Sequence, residues 1–219
     1  MKIKTVIFDL DGTLLDTLED LADASNQVLH IHGFPEHPVE KYNIFVGDGL
    51  KTLIARITPD KASEVDRATC CKTFMQVYAK RWDKKSKPYA GIVDMLKTLK
   101  ESGRHCCVLS NKPHTFTLDC AQRFFIRDSF AHVLGQREGV PLKPDPAGCL
   151  EIAALTDAPI EQCIYVGDTS VDMQTGKRSG MFTIGVSWGF RTKEELLDNG
   201  ADLIVDYPEE IVRYVVSAG

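Results

Sequence analysis

Thr5-Val6-Ile7-Phe8-Asp9-Leu10-Asp11-Gly12-Thr13 is the stretch whose reading decides the fold. A short apolar, β-branched run predicts a buried strand. It ends in two carboxylates two residues apart, and residues i and i+2 of a strand point the same way. With Gly12 free to turn the backbone, Asp9 and Asp11 are expected at the carboxyl end of that strand, where open parallel sheets bind ligands. One could serve as a nucleophile and the other as an acid/base. Alone, the same pattern also suits a solvated turn or a calcium loop. A calcium loop needs alternating oxygen ligands and a closing Glu. Counted from Asp9, position 5 is Thr13, position 9 is Thr17 and position 12 is Asp20, so that fit is poor.

Three downstream segments supply partners for such chemistry. Cys106-Cys107-Val108-Leu109 leads into Ser110-Asn111-Lys112, which offers a hydroxyl and backbone N–H groups for phosphate oxygens. A Ser-Asn pair after a strand is also a common helix N-cap. Lys143 stands in Lys143-Pro144-Asp145-Pro146, where an Asp145 N-cap and Pro146 at the first helical position explain the loop but not the lysine. Cys163-Ile164-Tyr165-Val166 then runs into Gly167-Asp168-Thr169-Ser170-Val171-Asp172, with two more carboxylates four apart. Each apolar run delivers polar chemistry at the same kind of place.

In this order, Asp9 to Thr13, Ser110, Lys143, and the acidic pair Asp168 and Asp172 resemble the four motifs of the haloacid dehalogenase superfamily of phosphatases. The resemblance covers nearly the whole chain. Phe45-Val46-Gly47-Asp48-Gly49-Leu50, Asn111-Lys112-Pro113-His114 and Ser187-Trp188-Gly189 look most like its phosphoglycolate phosphatase branch. The resemblance implies an Mg²⁺-dependent phosphomonoester hydrolase working through an aspartyl phosphate. In that scheme Asp9 is the nucleophile, and Asp11 protonates the leaving alkoxide and then activates water. Ser110, the Asn111 amide and Lys143 hold the phosphoryl oxygens. Asp9, Asp168 and the Asp11 carbonyl ligate the metal, with Asp172 beside it or ordering its waters and Lys143.

Length and composition allow this architecture. At 219 residues and 43% hydrophobic, the chain can bury a sizeable core as one large domain or as one domain with an insert. A net charge of −5 argues against a nucleic-acid partner. The seven cysteines form no Cys-x-x-Cys pair and read as small buried hydrophobes in a reducing cytosol. No secretory or membrane-spanning segment is expected, so the protein is read as soluble and cytoplasmic, a monomer or homodimer.

Strand-like runs near residues 5–8, 106–109, 132–135, 163–166, 183–186 and 203–205 alternate with helical patterning, which predicts an α/β, doubly wound (Rossmann-like) parallel sheet. The gap between the first two runs is helical. Leu18, Leu21, Ala22, Ser25, Val28 and Leu29 make one expected face, and Val65, Ala68, Cys71, Met75, Tyr78 and Ala79 another. Residues 16–82 are therefore expected to form an inserted α-helical cap domain on a core of 1–15 and 83–219. Gly47-Asp48-Gly49 is either the cap loop facing the core, with Gly47 and Gly49 allowing close approach to substrate, or an ordinary turn between helices.

The expected substrate is a small phosphorylated metabolite, 2-phosphoglycolate first, with Lys51 or Arg56 meeting its carboxylate and Asp48 opposing it if turned inward. A pyrophosphatase and a sugar phosphomutase on the same scaffold are the alternatives. A response-regulator receiver shares the carboxylates and lysine but would be shorter, uncapped, and would not need Asp11. His30, His32 and His37 are spaced by two and five, not the four of a helical metal pair. Trp188 is expected in the core, on the rim, or walling the entrance.

Overall fold

The computed structural model describes residues 2–217. The chain opens with β1 (Thr5–Phe8), a two-residue β2 (Leu15–Asp16) and four helices: α1 (Leu18–Ile31), α2 (Tyr42–Phe45), α3 (Leu50–Ile57) and α4 (Glu64–Tyr78). A two-residue β3 (Lys87–Pro88) returns it to the alternating part. That part comprises α5 (Ile92–Glu101), β4 (His105–Pro113), α6 (His114–Phe124), β5 (His132–Gln136), α7 (Ala147–Leu155), β6 (Cys163–Gly167) and α8 (Ser170–Arg178). It closes with β7 (Phe182–Val186), α9 (Lys193–Asp198), β8 (Leu203–Val205) and α10 (Pro208–Ser217).

Six strands pair in parallel in the order β5-β4-β1-β6-β7-β8, so the strand carrying Asp9 lies at the centre, between β4 and β6. Side-chain alternation accounts for two covered faces. Val6, Phe8, Cys106, Val108, Ile164 and Val166 join Ile92, Leu96 and Leu99 of α5 and Ile211 of α10 in one apolar cluster. Ile7, Cys107, Leu109, Cys163 and Tyr165 point the other way, with Cys149, Ile152 and Ala153 of α7. Neighbouring residues of one strand thus feed opposite layers, the pattern of a parallel sheet buried on both sides. Each fully buried aliphatic or Phe side chain in these layers contributes roughly 1.5–3 kcal/mol.

The helices between β2 and β3 enclose a third cluster, built from Leu21, Val28, Leu29, Tyr42, Leu53, Ile54, Phe74 and Tyr78 and joined from the sheet side by Phe116 of α6. The α1 face falls where its period predicts, with Leu21, Ala22, Ser25, Val28 and Leu29 buried. The α4 face does so only in part. Its buried residues are Cys70, Phe74, Val77 and Tyr78, while Val65, Ala68 and Ala79 are exposed. Tyr78 is common to both sets, and Cys71 and Met75 pack at the edge of the cluster; the larger aromatic surface of Phe74 rotates the inward face away from Val65 and Ala68. The two connections run side by side. β2 pairs antiparallel with β3, and the buried Asp20 of α1 accepts hydrogen bonds from the Lys85 and Ser86 amides at 2.9 and 2.8 Å and from the Ser86 hydroxyl at 2.7 Å.

Candidate active site

All the polar strand ends meet at the carboxyl edge of the sheet. Asp9 immediately follows β1, and its Oδ1 accepts a 2.8 Å hydrogen bond from Lys143 Nζ. The same ammonium donates to Asp172 Oδ1 at 2.7 Å and to the Tyr165 hydroxyl at 3.0 Å. Asp172 is held as part of a helix cap: its Oδ2 accepts from the amide and hydroxyl of Thr169, the N-cap of α8. Asp168 takes hydrogen bonds from the Thr13 hydroxyl at 2.9 Å and the Phe190 amide at 2.8 Å. A Cβ at Gly12 or Gly189 would collide with its carboxylate, and Gly12 also has φ +87°, so glycine is required there twice over.

Asp9, Asp168 and Asp172 bring carboxylate oxygens within 4.8 Å of one another, and among the described residues Lys143 is the only cation bonded to them. Burial pushes Asp9 up to about 7; Lys143 opposes the shift, and Asp172 and Asp11 add to it. Asp168 is pushed well above the usual carboxylate range by burial, then by Asp172 and Asp9. Burial works against the Lys143 charge, but Asp172 and Asp9 outweigh it and hold its pKa above the ordinary lysine value. Uncompensated negative charge on an all-oxygen donor set fits a small divalent cation.

Asp11 turns to a different lysine. Lys112 Nζ donates to its two carboxylate oxygens at 2.9 and 3.0 Å and to the hydroxyl of Tyr78, at the end of α4, at 2.7 Å. Thr17 donates to Asp11 Oδ1 at 2.8 Å. The Lys112 side chain is 2% exposed and that of Asp11 17%. Burial disfavours the lysine charge, yet Asp11 and Tyr78 more than offset it, and its pKa stays well above the ordinary value.

Ser110, Asn111 and Lys112 occupy a break in the sheet. From Leu109 to Pro113 β4 advances four residues while β5 advances only two, from Leu134 to Gln136. This bulge lifts the segment out of the ladder and aims it at the site, a usual role for such irregularities. The Asn111 side chain is a clamp: it donates to the Lys143 and Gly47 carbonyls and accepts from the Lys143 amide. A cavity of about 60 Å³ lies between Asp9, Asp11, Ser110 and Lys112 on one side and Gly47, Gly49, Leu50, Leu53 and Phe74 on the other.

The haloacid dehalogenase-like hydrolase model matches residues 6–186. This chain belongs to that family. It is 30% identical over 226 residues to the phosphoglycolate phosphatase of Psychrobacter arcticus, across 100% of this chain and 98% of that protein. It is also 30% identical over 222 residues to that of Vibrio vulnificus, across 98% and 97% of the two chains. A solved structure from Lactobacillus delbrueckii subsp. bulgaricus, provisionally assigned as a phosphoglycolate phosphatase, superimposes with a TM-score of 0.93 at 30% identity, over 98% of this chain and 99% of that one. The resemblance read from the motifs is thus borne out, as are the fold class and the phosphatase character that comes with it.

Within this hydrolase fold the cations of the helical insert depart from expectation. Arg56 pairs with Asp48 and donates to the Phe45 carbonyl, while Lys51 is exposed; neither lines the cavity. Asp48 is engaged by that pair and does not line the cavity either, whereas Gly47 and Gly49 do. The cation at the cavity wall is Lys112. In the sequence Lys112 stands inside Asn111-Lys112-Pro113-His114 with no evident role, because neither it nor Tyr78 carries a local signal of the contact between them. Trp188 packs beside the core and donates to the Thr13 carbonyl at 3.0 Å, steadying the Asp11 turn. His32 and His37 bond Thr73 and the Ile57 carbonyl within the helical insert.

Proposed function

We propose that this phosphatase hydrolyses a small phosphorylated carboxylic acid, 2-phosphoglycolate first, through a phosphoaspartyl intermediate on Asp9. The observation that carries this reading is the division of labour at the end of β1: Asp9 shares Lys143 with Asp172, and Asp11 is held apart by Lys112 and Thr17. A nucleophile and an acid/base must not bind the same cation in the same way. In this scheme an Asp9 oxygen attacks phosphorus while Lys143, the Ser110 hydroxyl and the Asn111 amide hold the phosphoryl oxygens. Asp11 gives its proton to the departing alkoxide and then takes one from the water that cleaves the acyl phosphate. Asp9, Asp168 and the Asp11 carbonyl, with Asp172 beside them, would hold Mg²⁺, which when bound screens the phosphate dianion from the anionic nucleophile.

The helices of residues 16–82 serve as the cap in this reading. Asn111 and Arg191 donate to the adjacent carbonyls of Gly47 and Val46, tying the cap loop down over the site, where water is excluded during attack. The cavity wall favours a small substrate over a sugar. Leu21, Val46, Leu50, Leu53 and Phe74 offer no partners for a ring of hydroxyls, which disfavours a sugar phosphomutase, and the same wall suits pyrophosphate poorly. The thiols support a reducing, cytoplasmic setting, since all seven cysteines are free. Among the described residues no helix is long and apolar enough to cross a membrane.

A panel of 2-phosphoglycolate, pyrophosphate, glucose 1-phosphate and glucose 6-phosphate, assayed with Mg²⁺ for released phosphate and for isomerised sugar, tests the reading. Highest kcat/KM on phosphoglycolate is expected. A sugar phosphate preferred by tenfold, or isomerisation without release, overturns the substrate or the hydrolytic outcome respectively.

A further inference from the structure

Lys112 is more deeply placed than an ordinary ion-pair partner of an acid/base needs to be. Its ammonium sits over the Tyr78 ring at 4.8 Å to the centroid while donating to the Tyr78 hydroxyl and to both oxygens of the Asp11 carboxylate. Tyr78 is fixed in turn between Phe74, stacked at 5.2 Å, and Phe116 of α6, edge-on at 5.0 Å. Among the residues lining the cavity Lys112 is the one cation, and the walls beyond it are apolar. The other basic groups nearby are committed: Arg56 to Asp48, Arg191 to the Val46 carbonyl and Glu195, and Lys143 to Asp9, Asp172 and Tyr165.

Position relative to the chemistry gives this lysine a second use. If Asp11 addresses the ester oxygen, any donor bonded to Asp11 stands next to whatever the adjoining carbon carries. In an ester of the form carboxylate–CH₂–O–phosphate, the carboxylate is separated from the ester oxygen by a single carbon. We propose that Lys112, oriented by Tyr78, is the residue that selects substrates bearing a carboxylate on the carbon next to the ester oxygen.

The hydrogen bonds supply a way for it to do so. Asp11 Oδ1 has two donors, Thr17 and Lys112, whereas Oδ2 has Lys112 alone. An arriving carboxylate takes the N–H now given to Oδ2. Asp11 stays anchored through Oδ1, and Oδ2 is released toward the ester oxygen. A substrate lacking the carboxylate leaves that N–H on Asp11 and gains nothing from the buried charge. Selectivity and availability of the acid/base are thereby joined in one contact, and the contact closes only when α4 of the insert brings Tyr78 to the core.

This inference rests on the proposed phosphatase mechanism, and the test separates the two. kcat/KM is measured with Mg²⁺ for 2-phosphoglycolate and ethyl phosphate, which have alkyl leaving groups but differ in the carboxylate, on wild type and Lys112→Met, with p-nitrophenyl phosphate as a check of phosphoryl transfer. Loss of a buried charged partner predicts a wild-type preference for phosphoglycolate of about 10²-fold or more, collapsing below about tenfold in Lys112→Met. A merely structural lysine lowers both substrates together and leaves the ratio intact, which overturns the proposal while the phosphatase reading stands. No release from any of the three by wild type overturns both. Should Lys112→Met fail to fold by circular dichroism, Tyr78→Phe carries the test: the lysine stays but loses its orienting hydroxyl. A fall of about threefold or more in the same ratio is expected, and an unchanged ratio counts against the proposal.

Discussion

Two buried lysines flank the end of β1, and each is bonded to aspartate and to a tyrosine hydroxyl. Lys143 joins Asp9 and Tyr165 of the sheet edge to Asp172 in the first turn of α8; Lys112 joins Asp11 to Tyr78, which belongs to the helical insert. No member of the first set belongs to the insert. The second keeps its Lys112–Asp11 pair within the sheet edge and adds one bond, from Lys112 to Tyr78, that crosses to α4. The same elementary group, an ammonium between a carboxylate and a phenol, lies wholly outside the helical insert in one case and bridges to it in the other. Substitutions on the Lys143 side should therefore remove chemistry outright, and those on the Lys112 side should change which substrate is used and how the leaving group is handled.

The strongest way to break the comparison is Asp9→Asn, which is expected to lower phosphate release by on the order of 10⁴-fold or more, since losing a covalent nucleophile cannot be compensated by neighbours. Retention of wild-type turnover, measured as phosphate release under saturating Mg²⁺, would remove Asp9 from the centre of the mechanism. Asp11→Asn should fold and cost about 10²- to 10⁴-fold, the usual worth of general acid–base catalysis. The loss should be smaller for p-nitrophenyl phosphate than for an alkyl phosphate, because a good leaving group needs less protonation. Equal slowing of phosphoryl transfer for both esters would contradict the acid role and blur the difference between the two lysine sets.

Asp168→Ala sharpens the comparison from the metal side. Activity should vanish on chelation with EDTA and return with Mg²⁺, and the variant should need about 10- to 100-fold more Mg²⁺ for half-activity, as when a ligand shell is weakened. Ca²⁺ should inhibit through its longer, looser coordination. Full activity after exhaustive chelation is the contrary result.

A smaller effect is expected in the stability of the metal-free protein. Asp9 is pushed up to about 7 in the fold, from an ordinary value of 3.8, by burial above all, and Asp168 shifts in the same direction. The folded chain therefore binds protons more tightly than the unfolded chain, and stability must fall as pH rises through this window. In EDTA, Tm should decline between pH 5 and pH 8; Mg²⁺ should flatten the decline, and Asp9→Asn should shrink it. A Tm that climbs over the same range, or a slope indifferent to Asp9→Asn, would show that the carboxylates are not crowded as described. Asn111→Ala is expected to be the mildest, costing about 1–3 kcal/mol by leaving the Lys143 amide and carbonyl unpaired, read from urea unfolding.

Much of the Lys143 side was legible in the chain. Asp9, Ser110, Asp168 and Asp172 each follow an apolar run, and a strand's end is a local signal written in consecutive residues. The Lys112 side was half hidden. Tyr78 was placed on a helical face by its period, but three of the residues expected beside it, Val65, Ala68 and Ala79, are exposed. Lys51 and Arg56 were drawn to the substrate by proximity in sequence to the glycine loop, whereas Arg56 is taken by Asp48 eight positions earlier.

By itself, then, the sequence determined the alternating strands, the two buried faces of β1, the helical insertion after it and the family to which these belong, because periodicity and strand-end residues act over a few neighbouring positions. Tertiary structure decided which face of α4 turns inward, that Asp9 and Asp11 diverge to separate lysines although they lie two residues apart, and that Tyr78 meets a lysine 34 positions away which itself reaches Asp11 across 101. Such contacts join residues with no shared local pattern. They are selected only when burial makes an unpaired ammonium, carboxylate or phenol costly and the fold leaves just one set of partners within reach.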